Sequence, residues 1–388
     1  MGKRRYRQGL QIALALAALG LCAPATAQTV HLGEELQREL GLTDPAQAVD
    51  SEASGYSPMP LVPVPVASPA LGIGAGLAAV RRSGESSGGQ PWLTGAALGV
   101  TSTGTWGAGA SQSIVLGDDR LRMVGMAGYG STDLDYYGIG GAAGERGQSV
   151  DLREKALVVS FDAQVRVFDK GLLSHVHAGL HMRRTAMRAR VEGDMPIAGL
   201  RSEVMQIGPA FTFDTRRNPA NPRKGVLVTG TWLFGTGALG GDFEHRRLEL
   251  LSTGFFPIGR RTVLAVRKTA CAVKGDAPFH DLCMFGGHGD LRGFAVGRYR
   301  DGASWALQFE ARRSLDPVAD GRLALVAFAG VGGTAASSGA IWKHSHVLTA
   351  GGLGLRYRPF ADCAETLRLD AAWGDDGPAL YLGLEQAF

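Results

Sequence analysis

Charge is scarce in this chain. Asp, Glu, Lys and Arg supply 20% of its 388 residues, and the formal net charge is only +4. Lys3, Arg4, Arg5 and Arg7 account for that surplus, because residues 1–27 contain no acid. Taking those four from the 40 basic residues leaves 36 against 36 acidic ones. A neutral body removes the bulk electrostatic argument for nucleic-acid binding, which needs a basic surplus or a basic face. Aromatic residues are also few (7%), and there are four cysteines. Glycine is the exception: 57 residues, about twice the ordinary share. The glycines show no collagen period and there is no acidic tail, so neither disorder nor a coiled coil fits.

The N-terminus reads as an export signal. Basic residues at 3–7 precede a short apolar stretch at 9–22, and Ala25-Thr26-Ala27 offers a small-x-small cleavage site. The apolar stretch is too short and wrongly flanked for an ordinary membrane span. Leu21 stands before Cys22 where a lipoprotein signal wants a small residue. Export implies an oxidising compartment, where the close pair Cys271/Cys283 is the natural disulfide and Cys363 is left over, buried or inert. Metal binding by this pair lacks further ligands at useful spacing.

Residues 28–46 carry Leu32, Leu36 and Leu40 between charged positions, the pattern of one short amphipathic helix. Pro58, Pro60, Pro63, Pro65 and Pro69 exclude helix and central strand and suggest an extended linker. The division expected is therefore 1–27 signal peptide, 28–70 periplasmic helix and linker, and 71–388 a body of alternating pattern. In 303–313, Trp305, Leu307, Phe309 and Ala311 oppose Ser304, Gln308, Glu310 and Arg312; 353–358 and 364–373 alternate likewise. Period two with an apolar and a charged face means strands between two different solvents. A soluble sandwich would alternate too, but the export signal, the charged second face and the terminal Phe388 favour a membrane barrel. Long connections (133–148, 191–202, 237–244, 273–302, 333–345) alternate with short ones (117–120, 168–171, 258–261, 314–320, 358–363). Lipid demands that the sheet close. Fifteen strand candidates are visible. Both termini on one side require an even number, so one strand is hidden, in 58–70 or near Tyr136–Gly140. The fold expected is all-β: a transmembrane antiparallel β-barrel of sixteen strands, fourteen being the alternative, with a long inward-folding extracellular loop.

Three motifs carry a family resemblance. Leu291-Arg292-Gly293-Phe294, within Gly286–Asp301, closely resembles the loop signature of the BamA/TamA superfamily, also called bacterial surface antigens. Asp214, Asn218, Pro219, Pro222 and Gly225 resemble that family's periplasmic turn. Tyr381, Gly383 and Phe388 resemble the outer-membrane strand-insertion signal, with Gln386 where an apolar residue is preferred. Five strand candidates follow the loop motif, as a sixteen-strand family barrel implies. The resemblance implies that the loop 273–302 folds into the lumen and that Arg292 pairs with an acid. In the family that acid follows a Phe on the second strand after the loop. Here Phe328-Ala329-Gly330 stands there, with Ala329 in its place. Asp370, lumen-facing on the penultimate strand, is the substitute partner and Glu310 the second. A guanidinium in a partly dry lumen needs such a carboxylate. The disulfide would brace the loop's root.

Catalytic readings are weaker. Ser174, His175 and His177 are adjacent, but Ser174 and His175 point to opposite faces of a strand, and no Gly-x-Ser-x-Gly elbow is present. His175/His177 and His344/His346 could each share a strand face, yet no third metal ligand is identifiable. Gly72–Gly76 matches a phosphate loop only in glycine content. No enzyme, metal or cofactor is expected, and no nucleic-acid partner. The resemblance implies an outer-membrane location and a role in inserting or translocating proteins, or in handling lipids. Outer-membrane lipids and unfolded outer-membrane or secreted clients are the implied partners. Residues 28–70 are too few for one of the family's periplasmic repeats. The alternative is a passive structural or pore-forming barrel.

Overall fold

The computed structural model describes residues 61–85, 91–191, 200–219, 221–287, 289–315, 322–358 and 366–384. The export signal, the 28–46 helix, Cys363, Gln386 and Phe388 lie outside the described residues. Among the described residues no helix is long and apolar enough to cross a membrane.

Sixteen strands form one closed antiparallel barrel. In chain order these are β1 (Leu61–Ser68), β2 (Gly72–Glu85), β3 (Pro91–Thr101), β4 (Trp106–Leu116), β5 (Leu121–Tyr136), β6 (Val150–Arg166), β7 (Val176–Val191) and β8 (Leu200–Asp214). They continue with β9 (Gly225–Gly235), β10 (His245–Ile258) and β11 (Thr262–Gly275). Two short strands, β12 (Cys283–Phe285) and β13 (Tyr299–Asp301), then pair only with each other inside the long loop. The wall resumes with β14 (Ala303–Ser314), β15 (Leu323–Ala335), β16 (His346–Tyr357), β17 (Leu367–Gly374) and β18 (Gly377–Gly383). Helix α1 (Gly141–Arg146) lies between β5 and β6, and α2 (Ile341–His344) between β15 and β16.

The side-chain distribution is inverted relative to a water-soluble protein. Leu98, Phe161, Leu180, Phe211, Phe256, Phe309, Leu353 and Trp373 are exposed on the outside. Arg183, Arg247, Arg312, Arg356, Arg368, Glu310 and Asp370 are buried within. This is the arrangement a hydrocarbon surround selects. Every backbone group must then be paired inside the wall, and closure is the means.

The hidden strand is β1, which occupies the Pro-rich stretch set apart above as linker; the barrel begins at Leu61, not at residue 71. Proline removes a donor, so it is confined to edges or to positions whose N–H has no partner. On an antiparallel strand alternate residues aim their N–H at the same neighbour. Pro63 and Pro65 therefore strip donors from one edge alone. β1 registers with β2 over eight consecutive pairs and, among the described residues, with β18 at Ala67 and Leu382. The stripped edge faces the seam.

Replacing both prolines, Pro63→Ala with Pro65→Ala, restores two donors at the seam. Amide hydrogen exchange of the reconstituted barrel is expected to show increased protection along β1 and β18. Unchanged protection there would mean that the prolines do not limit seam pairing.

Candidate functional site: a loop locked inside the barrel

The loop between β11 and β14 enters the lumen and is fixed at three places. At its root, the Cys271–Cys283 disulfide ties β11 to β12. Asp281, two residues before that cysteine, is fully buried. Its carboxylate accepts from Arg183 Nη2 on β7 at 2.8 Å and from Gln206 Nε2 on β8 at 2.8 Å, and it contacts the His245 ring on β10. Arg247 Nη1 donates to the Asp281 carbonyl at 2.6 Å, and Arg247 itself pairs with Glu249. Desolvated charges this close must neutralise one another, and here each has a partner.

The loop's tip reaches the opposite side of the wall. Arg292 is completely buried. Its Nη1 donates to Asp370 Oδ2 on β17 at 2.9 Å, and its Nη2 lies 2.7 Å from Glu310 Oε2 on β14. Both carboxylates weighed as partners are thus engaged at once. Arg312 Nε donates to Glu310 Oε1 at 2.6 Å, and Arg356 on β16 reaches Asp370 Oδ1 at 2.5 Å and Glu310 Oε2 at 3.4 Å. Three guanidiniums thus converge on these two carboxylates. The Phe328 ring adds a further contact, since the Arg292 guanidinium carbon stands 3.5 Å from the ring centroid. Strand register builds this geometry. Glu310 lies opposite Phe328, Phe328 opposite Gly352, and Gly354 opposite Asp370. A side chain at Gly354 would occupy the Asp370 carboxylate's position, 1.9 Å from its Oδ1.

The neighbouring motif residues make the approach possible. Gly293 has φ +119°, and a Cβ there would meet Ala350 at 2.8 Å. A Cβ at Gly330 would meet Leu291 at 2.7 Å, so that glycine lets the loop lie on the wall. Phe294 is buried with Phe285 and Tyr299, at centroid distances of 6.1 and 5.8 Å. Tyr381 on β18 is buried and its hydroxyl clamps the turn, accepting from Gly293 N–H at 3.0 Å and donating to the Phe294 carbonyl at 3.2 Å. Nothing local in the sequence marks that use of Tyr381, nor of Gln308, whose Oε1 accepts from the Arg292 N–H at 3.4 Å. The alternation of β14 does place Gln308 on the lumen face.

The third fixation is at the loop end of the barrel. Arg298 Nη2 lies 2.9 Å from Asp376 Oδ1 in the β17–β18 hairpin, and the Tyr299 hydroxyl donates to the same oxygen at 3.3 Å. Tyr299 also packs on α1, where a Cβ at Gly144 would stand 2.6 Å from its ring, and stacks on His346 at 5.5 Å. Burial, then the nearby Asp376, push the Tyr299 hydroxyl up to about 12. Burial also raises Asp376 above its ordinary 3.8, against the pull of Arg298.

Other sequence candidates fall elsewhere. Asp214 ends β8 and Gly225 opens β9, so residues 215–224 form the connection. Within it the Asn221 N–H donates to Asn218 Oδ1 at 2.8 Å, Pro222 is buried, and Gly225 has φ +118°. Gly383 ends β18. The histidine pairs do not share strand faces. Leu172–His175 is a short 3-10 turn, and His177 bonds the Asp119 carbonyl at 2.8 Å. His344 ends α2 whereas His346 opens β16. Short helical turns at strand ends override a simple period of two.

Removing one partner from a buried ion pair strands the others, so Arg292→Ala should cost about 3–5 kcal/mol. Denaturant titration of the liposome-embedded barrel measures it; Arg292→Lys should rescue only part, because a point charge cannot fork between Glu310 and Asp370. A second expectation concerns pH. The folded state holds the Asp376 proton more tightly than the unfolded chain does. That stabilisation is complete below 3.8 and is lost as pH rises through the raised folded value. Asp376→Asn should flatten this segment of the stability profile, and an unaltered slope would assign it to another group.

Comparisons with known proteins agree with this geometry. In structure the chain resembles BamA from Haemophilus ducreyi lacking POTRA domains 1–3, with TM-score 0.58 and 11% identity over 99% of this chain and 94% of that one. It also resembles CdiB from Escherichia coli (TM-score 0.60, 10% identity, 85% of this chain and 63% of that one). CdiB from Acinetobacter baumannii gives 0.54 and 11%, over 94% and 65%. The chain thus spans slightly less than two thirds of either CdiB. These likenesses speak to the fold. No curated protein matches in sequence. The Omp85 superfamily domain matches residues 151–365, more than half of the chain, and the protein therefore belongs to the Omp85 superfamily of bacterial outer-membrane barrels.

Proposed function

We propose that this barrel inserts or translocates polypeptides at the outer membrane and that the described form is its closed, resting state. One observation carries the reading: the inward loop is locked onto the two strands that lead to the seam, and the β1 side of that seam lacks the donors of Pro63 and Pro65. Arg292 binds Asp370 on β17 and Gly293 binds Tyr381 on β18, and β18 closes the barrel against the proline-bearing β1. Opening such a seam exposes unpaired strand edges, a template on which an incoming strand can pair. The lock then sets the geometry of β17 and β18 relative to the loop. A permanently open pore is the second reading, and the burial of Arg292, Phe294 and Tyr299 inside the barrel works against it. The proposal assigns no bond-making or bond-breaking step to the chain, and its clients are unfolded outer-membrane or secreted proteins.

The test is a reconstituted folding assay. Ala67→Cys with Leu382→Cys, in a Cys363→Ser background, allows the seam to be locked by oxidation. Liposomes with the unlocked barrel should fold a urea-denatured outer-membrane protein severalfold faster than empty liposomes, and the oxidised lock should abolish the gain. Reductant should restore it while leaving the wild type unaffected. Ion conductance without any acceleration would favour the passive pore.

A further inference from the structure

The opposite end of the barrel carries a charge imbalance that the loop site does not use. The connections β8–β9 (215–224) and β10–β11 (259–261) hold Arg216, Arg217, Arg223, Lys224, Arg260 and Arg261. The adjoining acid is Asp214, and Arg216 occupies it with paired contacts at 3.0 and 2.9 Å. Arg217, Arg223, Lys224, Arg260 and Arg261 are all exposed. None of these five has a carboxylate partner among the described residues. They form one patch, because Arg223 Nη2 donates to the Arg260 carbonyl at 2.8 Å across the two connections.

The described connections elsewhere on this rim differ. At β4–β5, Asp119 meets Arg122 at 2.5 Å and Arg166 at 3.4 Å. Burial raises the Asp119 carboxyl, but the Arg122 bond and the charges of Arg122, His177 and Arg166 outweigh it and hold the group below its ordinary value. Arg120 meets Asp169 at 3.2 Å. Arg120, Arg122 and Arg166 there are matched by acids, and Lys170 is a single exposed cation rather than a cluster.

The position of the unmatched patch indicates its ligand. Phe256 and Ile258, 50% and 57% exposed, end the outward face of β10 immediately before Gly259 and Arg260. Phe211 likewise stands outward three residues before Asp214. The cations therefore sit where an apolar lipid-facing band gives way to water, the level of phospholipid headgroups. The strand order puts the β8–β9 connection eight strands from the seam in either direction. Guanidinium forks match phosphate oxygens in pairs.

We propose that Arg217, Arg223, Lys224, Arg260 and Arg261 form a binding surface for anionic glycerophospholipid of the periplasmic leaflet, on the wall opposite the seam. Lipid held there steadies the rear wall and leaves the β1–β18 side free to move. The inference stands on the rim alone and holds whether or not the barrel handles clients.

Native mass spectrometry of the full-length protein in neutral detergent tests it, with phosphatidylglycerol or phosphatidylcholine added at equal concentration. Retention of phosphatidylglycerol should exceed that of phosphatidylcholine by on the order of tenfold. The preference should vanish in the variant with all five residues changed to Gln, and should survive Arg120→Gln with Lys170→Gln. Heat-modifiable migration on gels checks that each variant is folded. Equal retention of the two lipids overturns the proposal, as does a preference that persists in the five-residue variant. It is also overturned if the preference appears only after removal of residues 28–57. That outcome would give the rim to the acidic side chains Glu34, Glu35, Glu39, Asp44, Asp50 and Glu52 of this chain.

Discussion

A guanidinium taken out of water must find carboxylates, and the barrel's interior is arranged around that requirement. Arg292 could not sit in the lumen unless β14 and β17 brought Glu310 and Asp370 to one level. Those two acids could not sit there without Arg312 and Arg356. Each member makes the next tolerable, and the set is worth more as specification than as raw stability. It fixes the register of four wall strands against one another and the depth of the loop. Asp281 does the same on the far wall, where side chains from β7, β8 and β10 converge on one carboxylate. The loop is thus a crosspiece between two wall sectors.

The outer surface answers to the opposite rule. Leu, Val, Phe and Trp stand outward because nothing polar is available to them, and backbone pairing has to be complete. Closure follows, but the last junction lacks the donors of Pro63 and Pro65. Lipid tolerates a junction of this kind only where few polar groups are left over, and proline removes donors at the source. The seam is weak by composition.

Much of this was legible in the sequence, and the reasons for what was not are specific. Period-two alternation in segments such as 303–313 reveals strands because each residue's face is fixed by its parity. The Leu291–Phe294 motif and the parity of Asp370 suffice to pair Arg292 with β17. The stretch 58–70 reads as linker, with a hidden strand there as one of two options, because proline's missing donor counts against a ladder; only the tertiary fact that Pro63 and Pro65 face the seam reverses that reading. Asp281 lies in a connection with no periodicity, so nothing local marks it. Tyr381 looks like part of a terminal strand pattern, and its grip on Gly293 depends on a loop residue 88 positions earlier in the chain. The histidine pairs misled because one member of each belongs to a helical turn, where residues two apart do not share a face.

That long separation orders events during assembly. The tip of the loop is synthesised 78 residues before Asp370 and 88 before Tyr381. Its guanidinium has no complete cradle until the final two ribbons of the chain arrive. Docking is therefore a terminal step, slow in the way that distant pairings are slow. It also acts as a check: a cylinder missing its last hairpin leaves the arginine tip undocked, and so distinguishes an unfinished molecule from a finished one.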